Sequence, residues 1–199
     1  MGQAAVFLDR DGVLNRSEVR DRKPYAPRRL EDFRLLPNAA RSVARLKQAG
    51  FRVIVVTNQP DIGNGLVGRE VVEAMHERLQ ARVPVDAVRM CPHSQTAGCD
   101  CRKPKPGLLL QAAIEFDIDL PRSFMVGDRA SDISAANNAG CKSVFVNRGY
   151  AETPPKYADG EVTCLAGAVR FIVNSSSIEA NLLRDDGHSF NPRRSGDQW

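Results

Sequence analysis

The chain has 199 residues, 42% of them hydrophobic and 26% charged, with a net charge of +4. That suffices for one substantial core but not for two full catalytic domains, and so mild a surplus suits a small anionic substrate without arguing for nucleic acid. No apolar run reaches the length of a membrane span, and the first residues lack the basic–apolar–small order of a secretory signal, so a cytoplasmic protein, monomeric and free of membrane, is expected.

Short apolar runs at 4–8, 53–56, 87–90, 124–126 and 144–146 are separated by helix-sized stretches. Runs this short, rich in Val, Ile and Phe, predict strands buried on both faces, as in a parallel sheet. After the first strand, the polar and proline-punctuated segment 17–33 predicts a long loop or flap. A helix follows at 39–48, where Ala40, Val43, Ala44 and Leu46 mostly share one side, with Pro37 and Asn38 before it and Gly50 after it. Further helices are predicted at 71–82, 108–116 and 132–138, the last stopped by Gly140. Strands alternating with helices predict a doubly wound α/β sheet, in one domain spanning 1–173. From 174 onward the Ser-, Asp-, Asn- and Arg-rich sequence has no periodicity and reads as a flexible tail.

In open α/β sheets the ligand binds beyond the carboxyl ends of the strands. Three predicted strands run directly into reactive polar residues there: into Asp9-Arg10-Asp11-Gly12, into Thr57-Asn58-Gln59, and through Gly127 into Asp128. Singly, such residues mark turns. Three sets along one sheet edge, joined by a Lys-rich turn at Lys103, are a much rarer coincidence. Their chemistry is coherent, because a carboxylate can attack a phosphoryl group and divide a hard hydrolysis into two easier steps. Both reactants are anions, so Mg²⁺ is expected between them, with carboxylate oxygens from Asp9 and Asp128. Asp11 can protonate the leaving oxygen and later activate water, while Thr57, Asn58 and Lys103 offer donors to the phosphoryl oxygens.

Asp9-Arg10-Asp11-Gly12-Val13, Thr57-Asn58-Gln59, Arg102-Lys103-Pro104 and Gly127-Asp128-Arg129 together resemble, in order, the four motifs of the haloacid dehalogenase phosphatases. The resemblance implies Asp9 as nucleophile, Asp11 as general acid/base, and Thr57 and Lys103 as phosphoryl stabilisers. It also implies Mg²⁺ on Asp9, the Asp11 carbonyl and Asp128, with Gln59 and Arg129 near the substrate.

Cys91, His93, Cys99 and Cys101 gather three thiols and an imidazole within eleven residues. Cys₃His is a closed tetrahedral set, appropriate to structural Zn²⁺, and clustered cysteines of odd total number favour metal over disulfides. The loop ends in Arg102-Lys103-Pro104, so zinc can hold the backbone that aims Arg102 and Lys103 at a substrate. Cys141 and Cys164 read as core or incidental residues, and His76, in a charged helix, and His188, in the polar tail, as solvated. A zinc loop ahead of Arg-Lys-Pro resembles two branches of the phosphatase family, one acting on heptose 1,7-bisphosphate in surface-glycan synthesis and one on histidinol phosphate. Asn15 and Tyr25 stand where the heptose branch contacts its sugar, whereas the short spacing from His93 to Cys99 is closer to the histidinol branch, and Pro60-Asp61 replaces the small pair usual after Gln59. A small phosphorylated sugar is the expected partner, histidinol phosphate the alternative, and a zinc-stabilised binding module without activity the alternative of another class.

Overall fold

The computed structural model describes residues 2–185. Its centre is a parallel sheet of six strands: β1 (Ala5–Leu8), β4 (Arg52–Asn58), β5 (Ala87–Cys91), β6 (Phe124–Gly127), β7 (Lys142–Val146) and β8 (Gly160–Val162), in the order β5-β4-β1-β6-β7-β8. From β1 the chain builds outward through β4 and β5, then returns to the other side of β1 for β6, β7 and β8. The direction of winding therefore reverses beside β1, where the carboxyl ends of β1, β4 and β6 open a crevice.

β1 shows why the strands are apolar throughout. Its side chains alternate between faces, so Val6 and Leu8 enter one buried cluster while Ala5 and Phe7 enter the other. The first cluster is closed by α1 (Ala39–Gln48), α3 (Arg69–Gln80) and α6 (Leu165–Asp185), through Val43, Leu46, Met75, Leu79, Ala168, Val169 and Ile172. The second is closed by α4 (Gly107–Phe116) and α5 (Ala130–Ala139), through Leu108, Leu109, Ala112, Ala135 and Ala136. A four-residue helix, α2 (Pro60–Gly63), follows β4 directly. All five expected strands and four expected helices are present, the helix at 39–48 with both ends as expected and no end elsewhere shifted by more than two residues.

Three features depart from the sequence expectation. The segment 17–33 contains an antiparallel hairpin, β2 (Glu18–Arg20) and β3 (Lys23–Tyr25). Its two-residue turn, Asp21-Arg22, has φ of 50° and 59°, the left-handed pair that a tight hairpin needs to match strand twist. The short β8 lies outside the predicted elements, as does α6, which runs from Leu165 past the boundary at 174 to Asp185. Ser175 and Ser176 sit inside α6 by donating their hydroxyls to the carbonyls of Phe171 and Ile172, one turn back. That satisfies side chains that otherwise compete with helix. Residues 186–199, including His188, lie outside the described residues.

Gly12 shows how closely the sheet edge is assembled. Its φ is 81°, and a Cβ there would stand 1.7 Å from Oδ2 of Asp128. Gly50 has a similar φ of 88° but open space around it. Gly50→Ala should therefore cost only the backbone term, about 1–2 kcal/mol. Gly12→Ala should cost more and also displace the Asp128 carboxylate. Thermal unfolding of both variants checks the difference, and equal losses would show that Gly12 is needed for its dihedral alone.

Candidate active site

The crevice is a cavity of about 660 Å³, lined by Asp9, Asp11, Tyr25, Arg28, Asn58, Arg102, Lys103, Arg129 and Asp132 among others. At its floor Lys103 is 3% exposed, and its ammonium donates to Asp9 Oδ1 (2.8 Å), the Val56 carbonyl (2.8 Å) and Asp132 Oδ1 (2.6 Å). All three donors are used. Burial disfavours the charged ammonium, but Asp132 and Asp9 outweigh it and hold the Lys103 pKa above its ordinary value.

Asn58 places that lysine. Its amide clamps the Lys103 backbone twice, donating to the carbonyl and accepting from the N–H, both at 3.1 Å. It thus lines the cavity while its polar atoms serve the protein. Thr57 is buried and receives a 2.9 Å hydrogen bond from Gln59 on its hydroxyl.

Asp9, Asp128 and Asp132 bring carboxylate oxygens within 4.8 Å of one another. Burial pushes Asp9 up to about 6, the nearby carboxylates adding to it and Lys103 opposing. Asp128 is raised well above the usual carboxylate range by burial, then by Asp9 and Asp132. Both Asp128 oxygens are buried, with the Tyr150 hydroxyl close by but no ammonium or guanidinium among the described residues bonded to them. Such a group is costly unless a proton or cation joins it, and three carboxylates against one ammonium leave a local surplus of negative charge. This donor set fits a hard cation such as Mg²⁺. Asp132 was not among the expected site residues. As the third residue of α5 it accepts from the Arg129 N–H through Oδ2 (3.0 Å) while Oδ1 meets Lys103, so its helix-capping signal conceals its second contact.

Asp11 is surrounded by donors. Arg10 Nη2 reaches both of its oxygens (3.1 and 2.9 Å), Asn15 Nδ2 donates to Oδ1 (2.8 Å), and Gln59 Nε2 to Oδ2 (2.7 Å). Burial would raise the Asp11 pKa, but Arg10, Asn15 and Gln59 together hold it below its usual value. Asn15 and Gln59, expected at the substrate, are instead buried behind Asp11 and outside the cavity lining. A carboxylate without them would lack donors for its lone pairs. His76 is a further correction. It is 8% exposed rather than solvated, because its Nε2 faces Arg10 Nη1 at 3.1 Å.

Two arginines differ in availability. Arg102 lines the cavity and has a buried Nη1 without a partner. Arg129 is already engaged, donating to the Pro24 carbonyl of β3 at 2.5 Å with Glu152 at 3.8 Å. On the opposite side Arg28 meets Asp61 of α2 at 2.6 Å, so the hairpin segment, with Tyr25 on it, is tied at both flanks of the cavity.

Cys91 ends β5 beside Asn58 in the sheet register. His93 Nδ1 lies 3.6 Å from Cys91 Sγ and 3.2 Å from Cys101 Sγ, and Cys99 Sγ lies 3.6 and 3.5 Å from those two sulfurs. Metal bonds of about 2.3 Å to sulfur and about 2.0 Å to nitrogen set tetrahedral edges of roughly 3.5–3.8 Å. The four atoms form nearly that figure and can hold Zn²⁺. Cys141 is apart and buried, which pushes its thiol up to about 12, and Cys164 is exposed.

Residues 100–162 match the HAD-hydrolase-like family model. A D-glycero-β-D-manno-heptose-1,7-bisphosphate 7-phosphatase from Pseudomonas aeruginosa is 40% identical over 154 residues, covering 75% of this chain and 84% of that protein. The D-glycero-α-D-manno-heptose-1,7-bisphosphate 7-phosphatase from Mycobacterium tuberculosis is 39% identical over 142 residues, covering 68% of this chain and 73% of that protein. The crystal structure of D,D-heptose 1,7-bisphosphate phosphatase from B. bronchiseptica, complexed with magnesium and phosphate, superposes with a TM-score of 0.70 at 29% identity, covering 86% of this chain and 99% of that one. No helix among the described residues is long and apolar enough to cross a membrane. By sequence and by fold, this chain belongs to the heptose-1,7-bisphosphate 7-phosphatase family of HAD-like hydrolases.

Proposed function

We propose that the chain hydrolyses the 7-phosphate of D-glycero-D-manno-heptose 1,7-bisphosphate through phosphorylation of Asp9, as a step in making surface-glycan precursors. The observation that carries the reading is the asymmetry of Asp9. Lys103 holds Oδ1, while among the described residues no hydrogen bond engages Oδ2 of a carboxylate that lines the cavity. That oxygen is the attacking atom. As its bond to phosphorus forms, the bond from phosphorus to the sugar oxygen breaks, and the Asp11 carboxyl gives that oxygen its proton. The phosphate's own negative charge favours the protonated form of Asp11 while substrate is bound. In the second step ionised Asp11 takes a proton from water, which attacks phosphorus, and Asp9 and inorganic phosphate are released. Lys103 balances charge on the phosphoryl oxygens.

Asp9, Asp128 and the Asp11 carbonyl would hold Mg²⁺, which supplies charge screening between carboxylate and phosphate. Asp132 serves the same cluster by anchoring Lys103. Arg102 and Tyr25 face the sugar, Arg102 with an unpaired nitrogen. Asn15 and Gln59 act one step back on Asp11, Thr57 steadies Gln59 by accepting from its amide, Asn58 acts on Lys103, and Arg129 holds the hairpin. The Cys₃His set binds Zn²⁺ and fixes the loop that carries Arg102 and Lys103. The relatives' names favour a heptose bisphosphate over histidinol phosphate and divide between the two anomers.

Rates on the two heptose 1,7-bisphosphate anomers and on histidinol phosphate test the substrate. The expected result is a preference of about 100-fold or more in kcat/KM for one heptose anomer, and a preference for histidinol phosphate would overturn it. Asp9→Asn should fold normally and lose at least about 10³-fold in kcat, checked by phosphate release; a few per cent of residual rate would remove the nucleophile assignment. Zinc is tested by elemental analysis. The purified protein should hold about one zinc per chain, Cys99→Ser should lose zinc, stability and activity together, and Cys141→Ser should keep all three. Full zinc with normal kinetics in Cys99→Ser would defeat the structural-zinc assignment.

A further inference from the structure

Arg10 and His76 are the two buried ionisable groups beside the site to which the reaction gives no task. Arg10 is 0% exposed. It touches Asp11 through one nitrogen only, Nη2, which serves both carboxylate oxygens. A guanidinium held at a single nitrogen can pivot about that contact, unlike the two-nitrogen fork usual for Arg–carboxylate pairs. Here two other anchors stop the pivot. Nη1 is committed to His76 Nε2 at 3.1 Å, and the guanidinium lies 5.6 Å from the centre of the Phe33 ring. Arginine can only donate, so His76 must accept, which requires a neutral ring with its proton on Nδ1. Its environment agrees, since burial and then the Arg10 charge push His76 down to about 4.

Simple charge compensation of Asp11 does not explain this arrangement. One Arg10 nitrogen already supplies it, while Arg10 Nε stays buried without a partner. An apolar residue at position 76 would avoid burying an imidazole against a cation. What His76 adds is direction. α3 carries it to Arg10, and two residues later Arg78 donates to the Leu30 carbonyl at 2.9 Å. The helix thus holds both Arg10 and the segment leading to Phe33.

We propose that Arg10 and His76 are positioning residues for Asp11: His76 fixes the guanidinium, and the guanidinium fixes the plane in which the Asp11 carboxyl meets the leaving oxygen. The proposal rests on the acid/base reading of Asp11 given above. A proton transfer in the transition state is sensitive to sub-ångström placement, so the effect belongs in kcat and not in KM.

The test compares His76→Leu, which keeps bulk but cannot accept, with His76→Gln, whose carbonyl can accept from Arg10. Asp11→Asn is the reference. The readout is single-turnover release of the leaving group from a sugar phosphate and from p-nitrophenyl phosphate, whose leaving group needs little protonation. His76→Leu should slow release from the sugar phosphate by about 10–100-fold with KM within about twofold, and slow the aryl phosphate by less than about threefold. His76→Gln should stay within about threefold of wild type on both. If Leu leaves too little folded protein, His76→Met, unbranched and a far weaker acceptor, takes its place. Equal losses on both phosphates, or Gln no better than Leu, would overturn the relay while leaving Asp11 intact. Asp11→Asn itself indifferent to the leaving group would instead overturn the acid/base reading, and the relay with it.

Discussion

Everything at the sheet edge depends on the ammonium of Lys103. Three carboxylates, those of Asp9, Asp128 and Asp132, are buried within 4.8 Å of one another. Carboxylates so placed repel strongly where dielectric is low. Lys103 lies between Asp9 and Asp132, spends its third donor on the Val56 carbonyl, and so leaves Asp128 without a bonded cation. That residual charge is what a divalent cation answers. One lysine therefore orients the Asp9 carboxylate, the proposed nucleophile, and leaves the site anionic enough to take a metal.

A side chain with this much dependent on it must come from a backbone that does not wander, and Lys103 comes from a loop. Strand β5 ends in Cys91, which pairs with Asn58 in the register of β4, and the Gln59 N–H donates to the Cys91 carbonyl at 2.8 Å. The Asn58 amide then grips the Lys103 backbone on both sides. The cysteine set lies between those attachments, where a tetrahedral metal would replace a few degrees of loop freedom with four bonds. A loop can then place a residue as accurately as a strand does.

The chemistry of the edge was legible because each motif combines a buried apolar strand with the polar residue that ends it, as in Phe7-Leu8-Asp9 or Val126-Gly127-Asp128. Less legible was what stands behind the edge. Asn15 and Gln59 look like residues that meet a substrate, but the four hydrogen bonds reaching Asp11 need donors, and these residues supply two of them. Asp132 looks like an ordinary acid in the first turn of a helix, which it also is. His76 lies among the charges of α3, and only its partner, 66 residues earlier in the chain, makes it a buried residue. Each miss has one cause: a polar side chain shows its type in the sequence, while its direction depends on a distant partner. The helix past Leu165 differs, since Leu165, Ala168, Val169 and Ile172 do carry helical spacing; the serines that follow hide it, and they fit only through bonds to the preceding turn.

The two carboxylates of the first motif are two residues apart and sit in opposite environments. Protein groups alone push Asp9 up to about 6, chiefly by burial, and hold Asp11 below its ordinary value, since Arg10 and the two amides overcome burial there. For phosphoryl transfer the order needed is the reverse, an ionised nucleophile and a protonated acid. The missing terms come from the reactants. A cation held by Asp9 and Asp128 would favour the ionised form of Asp9, and a phosphate dianion beside Asp11 would favour its protonated form. Neither alone sets both carboxylates. On the roles proposed for these two residues, the site would reach its reactive protonation state only with metal and phosphate bound together, which would tie attack by Asp9 to the presence of a substrate that can receive the Asp11 proton.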